Sequence, residues 1–112
     1  MNELLGRIGD RWTLRVVVTL HAQPLRFNQL RRAVDGISQQ MLTRTLKTLE
    51  RDGMLTRTVH PSVPPQVEYG LTPLGHSLAD RGMQLGGWIS DHLAEIDDHR
   101  ARYDMADATQ GH

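Results

Sequence analysis

The 112-residue chain contains no cysteine. This absence excludes disulfides, thiolate nucleophiles, iron–sulfur clusters, cysteine-based zinc sites and thiol-based redox sensing within these residues. We predict no cofactor and no metal site.

Long apolar runs are also missing. The amino terminus, M-N-E-L-L-G-R, has no basic segment followed by an apolar core, and no stretch approaches the roughly 20 apolar residues that span a bilayer. The sequence therefore predicts a cytoplasmic protein with no membrane partner. Its length suits one domain with its own core, which we expect to span residues 1–103.

The chain carries no net charge, but its charges are unevenly distributed. Residues 1–57 hold ten Lys and Arg against five Asp and Glu, a net charge of +5, and residues 58–112 hold three against eight, a net charge of −5. Duplex DNA attracts Lys and Arg through counterion release and repels carboxylates. The distribution favours a DNA partner for the first half, while an acidic solubilising tail is the alternative explanation.

Patterns typical of catalysis are absent as well. The six histidines are scattered, and no Ser/His/Asp order, paired-carboxylate cleft or Gly-rich phosphate loop is recognisable. We therefore predict that the protein is not an enzyme.

The most informative segment that is present is a helix predicted over about residues 38–52. Ser38 is placed to cap its start, Gly53 suits the left-handed residue after its end, and leucines at 42, 46 and 49 form one apolar stripe. Its outer faces carry Gln39, Gln40, Thr43, Arg44 and Lys47. Gln can bond adenine edges and Arg guanine edges, whereas a solvated helix more often carries Glu–Lys pairs. The segment resembles a DNA-recognition helix, and an ordinary surface helix is the alternative.

The flanking segments predict a known order of elements. Helical periodicity through Leu14, Val17 and Val18, then through Phe27, Leu30 and Val34, precedes the Asp35–Gly36 turn. Two helices and a short Gly-containing turn before a polar-faced helix are typical of a helix-turn-helix.

A β-hairpin is predicted over about residues 55–71. Two segments rich in β-formers flank P-S-V-P-P, whose prolines lack N–H donors and fix φ. The hairpin would be a wing with Arg57, His60 and Gln66 as candidate DNA contacts, and its tip could be a minor-groove reader or only a structural turn. We therefore predict a mainly α fold with a small β-hairpin, a winged helix-turn-helix with N- and C-terminal dimerisation helices.

A long helix is predicted over about residues 73–100, because Thr72 suits an N-cap and Pro73 the first helical position. Gly86–Gly87 could kink or split it, and residues 104–112 are predicted to be a flexible tail. One small domain cannot easily cover so long an apolar stripe, which predicts a dimer surface; packing on its own domain is the alternative. The predicted dimer residues are Leu4, Leu5, Ile8, Leu78, Leu85, Trp88, Ile89 and Ile96.

Five motifs follow one another along the chain: I-G-D-R-W-T-L (8–14), R-F-N-Q-L-R-R (26–32), G-I-S-Q-Q-M-L-T-R-T-L (36–46), L-E-R-D-G (49–53) and V-P-P-Q-V-E-Y-G-L-T-P-L-G (63–75). Together they resemble the HxlR-type transcriptional regulators, a bacterial branch of winged helix proteins related to MarR-type regulators. The resemblance covers about residues 4–90. It implies a homodimer that binds palindromic promoter DNA and responds to a small-molecule or redox signal.

The resemblance also implies site residues. The recognition helix would supply Ser38, Gln39, Gln40, Thr43, Arg44 and Lys47, and the wing would supply Arg57 and the 61–66 loop. We expect the phosphate contacts to come from Arg26, Arg31, Arg32, Lys47 and Arg57. Two features depart from the family: the sensing cysteine of many members would fall at or just before Met1, and Gln66 replaces a basic residue of the wing.

Regulation by a small-molecule effector is expected near Trp12, Leu85 and Trp88. A metal-sensing regulator is the first alternative, because Asp91, His92, Glu95, Asp98 and His99 place N and O donors within two helical turns. A winged helix used only for protein contacts is the second alternative.

Overall fold

A computed structural model describes residues 11–109 of the chain. Over these residues four helices and three strands follow one another. They are α1 (Arg11–His21), β1 (Leu25–Arg26), α2 (Phe27–Ala33), α3 (Gln39–Arg51), β2 (Leu55–His60), β3 (Gln66–Leu71) and α4 (Pro73–Thr109). This order confirms the predicted fold class, three helices followed by a hairpin and a long helix.

The core lies between the first three helices and the sheet. Val16 and Val17 of α1 are completely buried, together with Leu30 of α2 and Leu42 of α3. The β-branched run at residues 16–18 is helical because Val16 and Val17 are buried in the core, and this burial outweighs their weak helix propensity.

Helix α3 has a defined signal at each end. The Ser38 Oγ accepts a hydrogen bond of 3.1 Å from the backbone N–H of Met41. At the other end, Gly53 adopts φ +77°, its N–H donates to the Glu50 carbonyl, and the Met54 N–H donates to the Leu49 carbonyl. These two bonds form a Schellman motif, which satisfies the last free carbonyls and ends the helix where the sequence predicts.

The hairpin belongs to a three-stranded antiparallel sheet with the order β1-β3-β2. Leu55 pairs with Leu71 and His60 with Gln66, so residues 61–65 form the connecting loop. The short strand β1 adds to the free edge of β3, with Leu25 opposite Tyr69. The wing is therefore attached on one edge to the chain segment that leads into α2.

The start of α4 is tied to the end of α3 and to α1. Thr72 Oγ1 accepts from the Gly75 N–H at 3.1 Å and donates to the Gly53 carbonyl at 2.7 Å. Gly75 is required here because a Cβ at this position would collide with the Met54 carbonyl oxygen. In the next turn, His76 Nδ1 lies 3.1 Å from His21 Nδ1.

Helix α4 is longer than predicted. It continues through Gly86 and Gly87 without a break and ends at Thr109, beyond the expected end near residue 100 and inside the segment predicted to be a flexible tail. Ala101, Met105 and Ala108 are good helix formers, and the next glycine after Gly87 is Gly111, so no residue interrupts the helix.

The chain divides into two compact units, one up to Gly82 and one from Met83. This division differs from the single domain predicted to residue 103. All the buried core residues of the described chain belong to the first unit, the last of them being Ala79, and Leu78 is partly buried against the same core. No side chain from Met83 to Ala108 is buried. Within residues 11–109, none of the helices combines the length and apolarity needed to cross a membrane.

Candidate nucleic-acid interface

The candidate interface is built on the outer face of α3. Its inner face buries Leu42, Thr45, Leu46 and Leu49, which leaves the polar positions between them outside. Gln39, Gln40, Arg44 and Lys47 are exposed and Thr43 is half-buried. This separation follows from the 3.6-residue repeat of the helix.

The polar side chains of α3 share one open depression of about 810 Å³. It is lined by Gln39, Gln40, Thr43, Arg44, Lys47 and Thr48, so five predicted residues lie together. The Thr43 hydroxyl donates to the Gln39 carbonyl at 2.8 Å, so that its oxygen remains available as an acceptor. The amide and guanidinium groups beside it can form paired hydrogen bonds to base edges.

The wing extends this surface through a second depression of about 330 Å³ between α3 and the sheet. Lys47 and Arg57 both line it, so two predicted phosphate contacts from different elements lie on one surface. The other lining residues are Phe27, Thr43, Leu46, Glu50 and Tyr69. Glu50 adds one carboxylate, which lowers the positive charge on that side.

A third depression, of about 420 Å³, lies where α2 begins beside β3. Arg26, Arg32 and Gln66 line it together with Phe27, Asn28, Gln29 and Val67. The second depression shares Lys47 and Thr43 with the first depression, and it shares Phe27 with the third. They therefore form one continuous surface, which we call the basic face.

Three predicted DNA-binding residues are less available to DNA. Arg31 is exposed but lines none of the three depressions. The Ser38 hydroxyl is engaged as the cap of α3. His60 Nε2 lies 3.5 Å from Glu68 Oε1. The Glu68 carboxylate would repel a DNA phosphate that approaches the His60 ring.

Some lining residues of the basic face were not predicted. Thr48 follows Arg44 by one helical turn, a spacing that could have identified it. Asn28 lies in the first turn of α2, two residues after Arg26. Phe27 and Tyr69 meet there only through the pairing of β1 with β3, which the sequence does not reveal.

The turn before α3 is held from behind by α1. Arg15 Nη2 donates to the Asp35 carbonyl at 2.9 Å, and Gly36 adopts φ +82°. The Trp12 ring would lie 3.8 Å from a Cβ at Gly36, and it contacts the guanidinium groups of Arg11 and Arg15 at 4.7 and 4.9 Å. These contacts connect α1 to the turn that precedes α3.

Three of the four predicted dimer residues of the second unit are exposed, and the fourth, Ile96, is half-buried. Leu85, Trp88 and Ile89 are exposed by 50%, 54% and 43%, and the Trp88 ring stacks on His92 at 4.3 Å between centroids. Leu93, one turn beyond Ile89, is also exposed and was not predicted, although its spacing is the same.

The other predicted regulatory positions are described only in part. Leu4, Leu5 and Ile8 lie outside the described residues. The effector pocket at Trp12, Leu85 and Trp88 stays a prediction. Among residues 11–109, no three His, Asp or Glu side chains converge as metal ligands, so the metal-sensing alternative gains no ligand set there.

Comparison with known proteins identifies relatives along most of the chain. The family described as HxlR-like helix-turn-helix matches residues 7–97. YtfH of Escherichia coli, an uncharacterized HTH-type transcriptional regulator, is 42% identical over 95 residues, 85% of this chain and 75% of its own length.

Two solved structures agree with this match. The YtfH structure from Salmonella typhimurium superposes with a TM-score of 0.81 at 40% identity and covers 89% of each chain. A MarR family regulator from Enterococcus faecalis superposes with a TM-score of 0.71 at 36% identity and covers 88% of each chain. These relatives carry the winged-helix fold described above.

Proposed function

Because the chain belongs to the HxlR-like helix-turn-helix family of transcriptional regulators, we propose that it binds a palindromic promoter site as a homodimer and changes its affinity for that site in response to an effector. The observation that carries the proposal is the basic face, which joins the polar side of α3 to the wing. Duplex DNA matches this surface in charge and in its pattern of hydrogen-bond donors and acceptors.

We assign recognition of the DNA sequence to α3. In the major groove, Gln39 and Gln40 would bond adenine edges and Arg44 a guanine edge, and each good bidentate pair discriminates between bases by about 1–3 kcal/mol. We assign contacts with the DNA phosphate backbone to Lys47 and Arg57, which line one depression, and to Arg26 and Arg32, which line another. Contacts with phosphates fix position and affinity but not sequence.

The homodimer is supported by the apolar stripe of the second unit. Leu85, Ile89 and Leu93 follow one another at four-residue spacing and are each about half exposed. A second copy of this chain would cover them about a two-fold axis. Two copies of α3 would then enter successive major grooves about 34 Å apart and read an inverted repeat.

Effector control would act through the same helices. A rotation of the two copies against each other changes the distance between their α3 helices, and both half-sites are then misplaced. Thiol chemistry is not a route for these 112 residues, which contain no cysteine. A small molecule is therefore the effector class that we propose.

The proposal is tested by selecting bound duplexes from a random library and titrating the best site at several salt concentrations. We expect an inverted repeat with half-site centres about 10 base pairs apart. If about six of the eight phosphate-contacting cations per dimer (four per subunit) each neutralise a phosphate, log K should fall against log salt with a slope of about −5.

Variants identify the surface that binds. Gln40→Ala with Arg44→Ala should abolish discrimination between sites, whereas Arg100→Ala, which removes an exposed guanidinium from α4, should leave it intact. Circular dichroism would show that each variant folds. Folded wild-type protein that selects no duplex would contradict the proposal and favour a winged helix used for protein contacts.

A further inference from the structure

Two histidines that are far apart in the sequence meet where α1 ends beside the start of α4. His21 Nδ1 lies 3.1 Å from His76 Nδ1, although 55 positions separate the two residues in the chain. Their rings lie edge to face, with centroids 5.1 Å apart and an angle of 67° between the ring planes. Both residues belong to the unit that ends at Gly82. We call them the histidine pair.

The separation of the two Nδ1 atoms suits a shared metal ion. A zinc ion holds imidazole nitrogens at about 2.0–2.1 Å, so two such ligands lie roughly 2.9 Å apart at a right angle and roughly 3.3 Å apart at the tetrahedral angle. The observed 3.1 Å falls between these two values. A hydrogen bond within the pair needs one Nδ1 to donate and the other to accept. A metal ion can take the place of that proton because the two nitrogens already have the spacing of ligands.

A carboxylate lies on the other side of the His21 ring. His21 Nε2 is 3.5 Å from Asp80 Oδ1. Histidines that bind metals commonly donate their other ring N–H to a carboxylate, which fixes the tautomer and the orientation of the ring. With its proton on Nε2, His21 presents the lone pair of Nδ1 toward His76. The Asp80 carboxylate thus favours the tautomer that a metal ion requires.

The two helices hold the histidine pair in place. Asp80 follows His76 by four residues, about one turn of α4. The start of α4 is fixed by Thr72, which caps it and donates to the Gly53 carbonyl, and the last turn of α1 is fixed by the buried Leu20. Ligands that are already in position lose little conformational entropy on binding. Both rings are only half-buried, so an ion can reach them from solvent.

We propose that the histidine pair is a binding site for a divalent transition-metal ion, with Asp80 as a positioning residue. Imidazole is a preferred ligand of such ions, and water fills the coordination positions that two histidines leave open. The bound ion joins the end of α1 to the start of α4 and so stabilises the first unit. The inference is independent of the proposed function, because none of these three residues lines the basic face.

Zinc titration of the untagged full chain at neutral pH tests the site. We would titrate zinc chloride into folded wild-type protein by isothermal titration calorimetry and follow thermal unfolding by circular dichroism. Two protein ligands should supply roughly half the binding free energy of a four-ligand structural site, so we expect one ion per chain with a Kd of about 1–100 μM. An ion that binds only the folded chain stabilises it, so Tm should rise with zinc concentration.

Substitutions identify the ligands. His21→Gln and His76→Gln remove one imidazole each and should weaken zinc binding at least about tenfold, with loss of the rise in Tm. Asp80→Asn should weaken binding about tenfold with one ion per chain still bound, and Asp80→Glu should restore most of the affinity. His99→Gln removes an exposed imidazole from α4 and should behave as wild type.

X-ray absorption at the zinc edge gives a direct measurement, and we expect two imidazole nitrogens bound to zinc in the wild-type protein. Zinc binding that His21→Gln and His76→Gln leave unchanged would overturn the inference. Folded wild-type protein that shows neither a heat of binding nor a rise in Tm would also overturn it. None of these results bears on DNA binding by the basic face, so the proposed function stands or fails separately.

Discussion

The unit that ends at Gly82 and the part of α4 from Met83 differ in what covers their apolar side chains. In the first unit, side chains from three helices and the sheet bury one another, and seven large ones are almost completely inaccessible. In the second, Leu85, Trp88, Ile89 and Leu93 are about half exposed, and no described side chain is buried. The first unit has the core that folding requires, whereas the second has an apolar surface that a partner would cover.

The same two regions differ in charge. The basic residues that line the basic face all precede Gly82, while most carboxylates of the second half lie on α4. A duplex attracted to the first unit is repelled by such a helix. The distribution of charge thus supports one role for each region, DNA contact for the first and subunit contact for the second.

The largest expected effect is on the core of the first unit. Leu42 is completely buried, so Leu42→Ala removes contacts and leaves a cavity, which should lower the free energy of unfolding by roughly 2–5 kcal/mol. The matched change Leu93→Ala, at a side chain 48% exposed, should cost less than about 0.5 kcal/mol in dilute protein. Urea denaturation followed by circular dichroism measures both. If both variants lose the same free energy of unfolding at every protein concentration, the chain itself covers Leu93. The contrast between a buried first unit and an exposed second unit would then be wrong.

An intermediate effect is expected on self-association. Ile89→Glu places a carboxylate in the middle of the exposed stripe, where a partner subunit would have to desolvate it, so the dimer should dissociate at least about tenfold more readily. Sedimentation equilibrium measures the dissociation constant. Gln84→Glu adds the same charge on another side of the helix and serves as the control. If Ile89→Glu and Gln84→Glu associate equally, the stripe is not the subunit contact.

The sequence predicts best those features whose causes are local. Helix α3 begins and ends within one residue of its predicted limits, because the Ser38 cap and the left-handed Gly53 act within a single turn. Its polar face follows from helical periodicity alone. The end of α4 was predicted too early because no glycine or proline marks it before Gly111, and helix-forming residues simply continue.

The spatial groupings of residues that could not be predicted from the sequence depend on tertiary contacts. The joint depression of Lys47 and Arg57 arises because the hairpin packs beside α3, ten residues later in the chain. The hydrogen bond from Arg15 to the Asp35 carbonyl spans 20 residues. Neither contact leaves a periodic or compositional signal, so candidate residues could be named but their grouping could not.

The smallest expected effect lies at the boundary between the two regions. Gly86 is in the interior of α4 with open space around its potential Cβ, so Gly86→Ala should increase stability by up to about 1 kcal/mol through helix propensity. One turn earlier, a Cβ at Gly82 would lie 3.0 Å from Val18 Cγ2, so crowding offsets the same gain. Thermal unfolding monitored by circular dichroism at 222 nm should therefore give Gly86→Ala a higher Tm than wild type and than Gly82→Ala. The reverse ranking in dilute protein would mean that residues of this chain pack on the Gly86 side of α4. A reversal that grows with protein concentration would instead mean that a second subunit approaches the helix there.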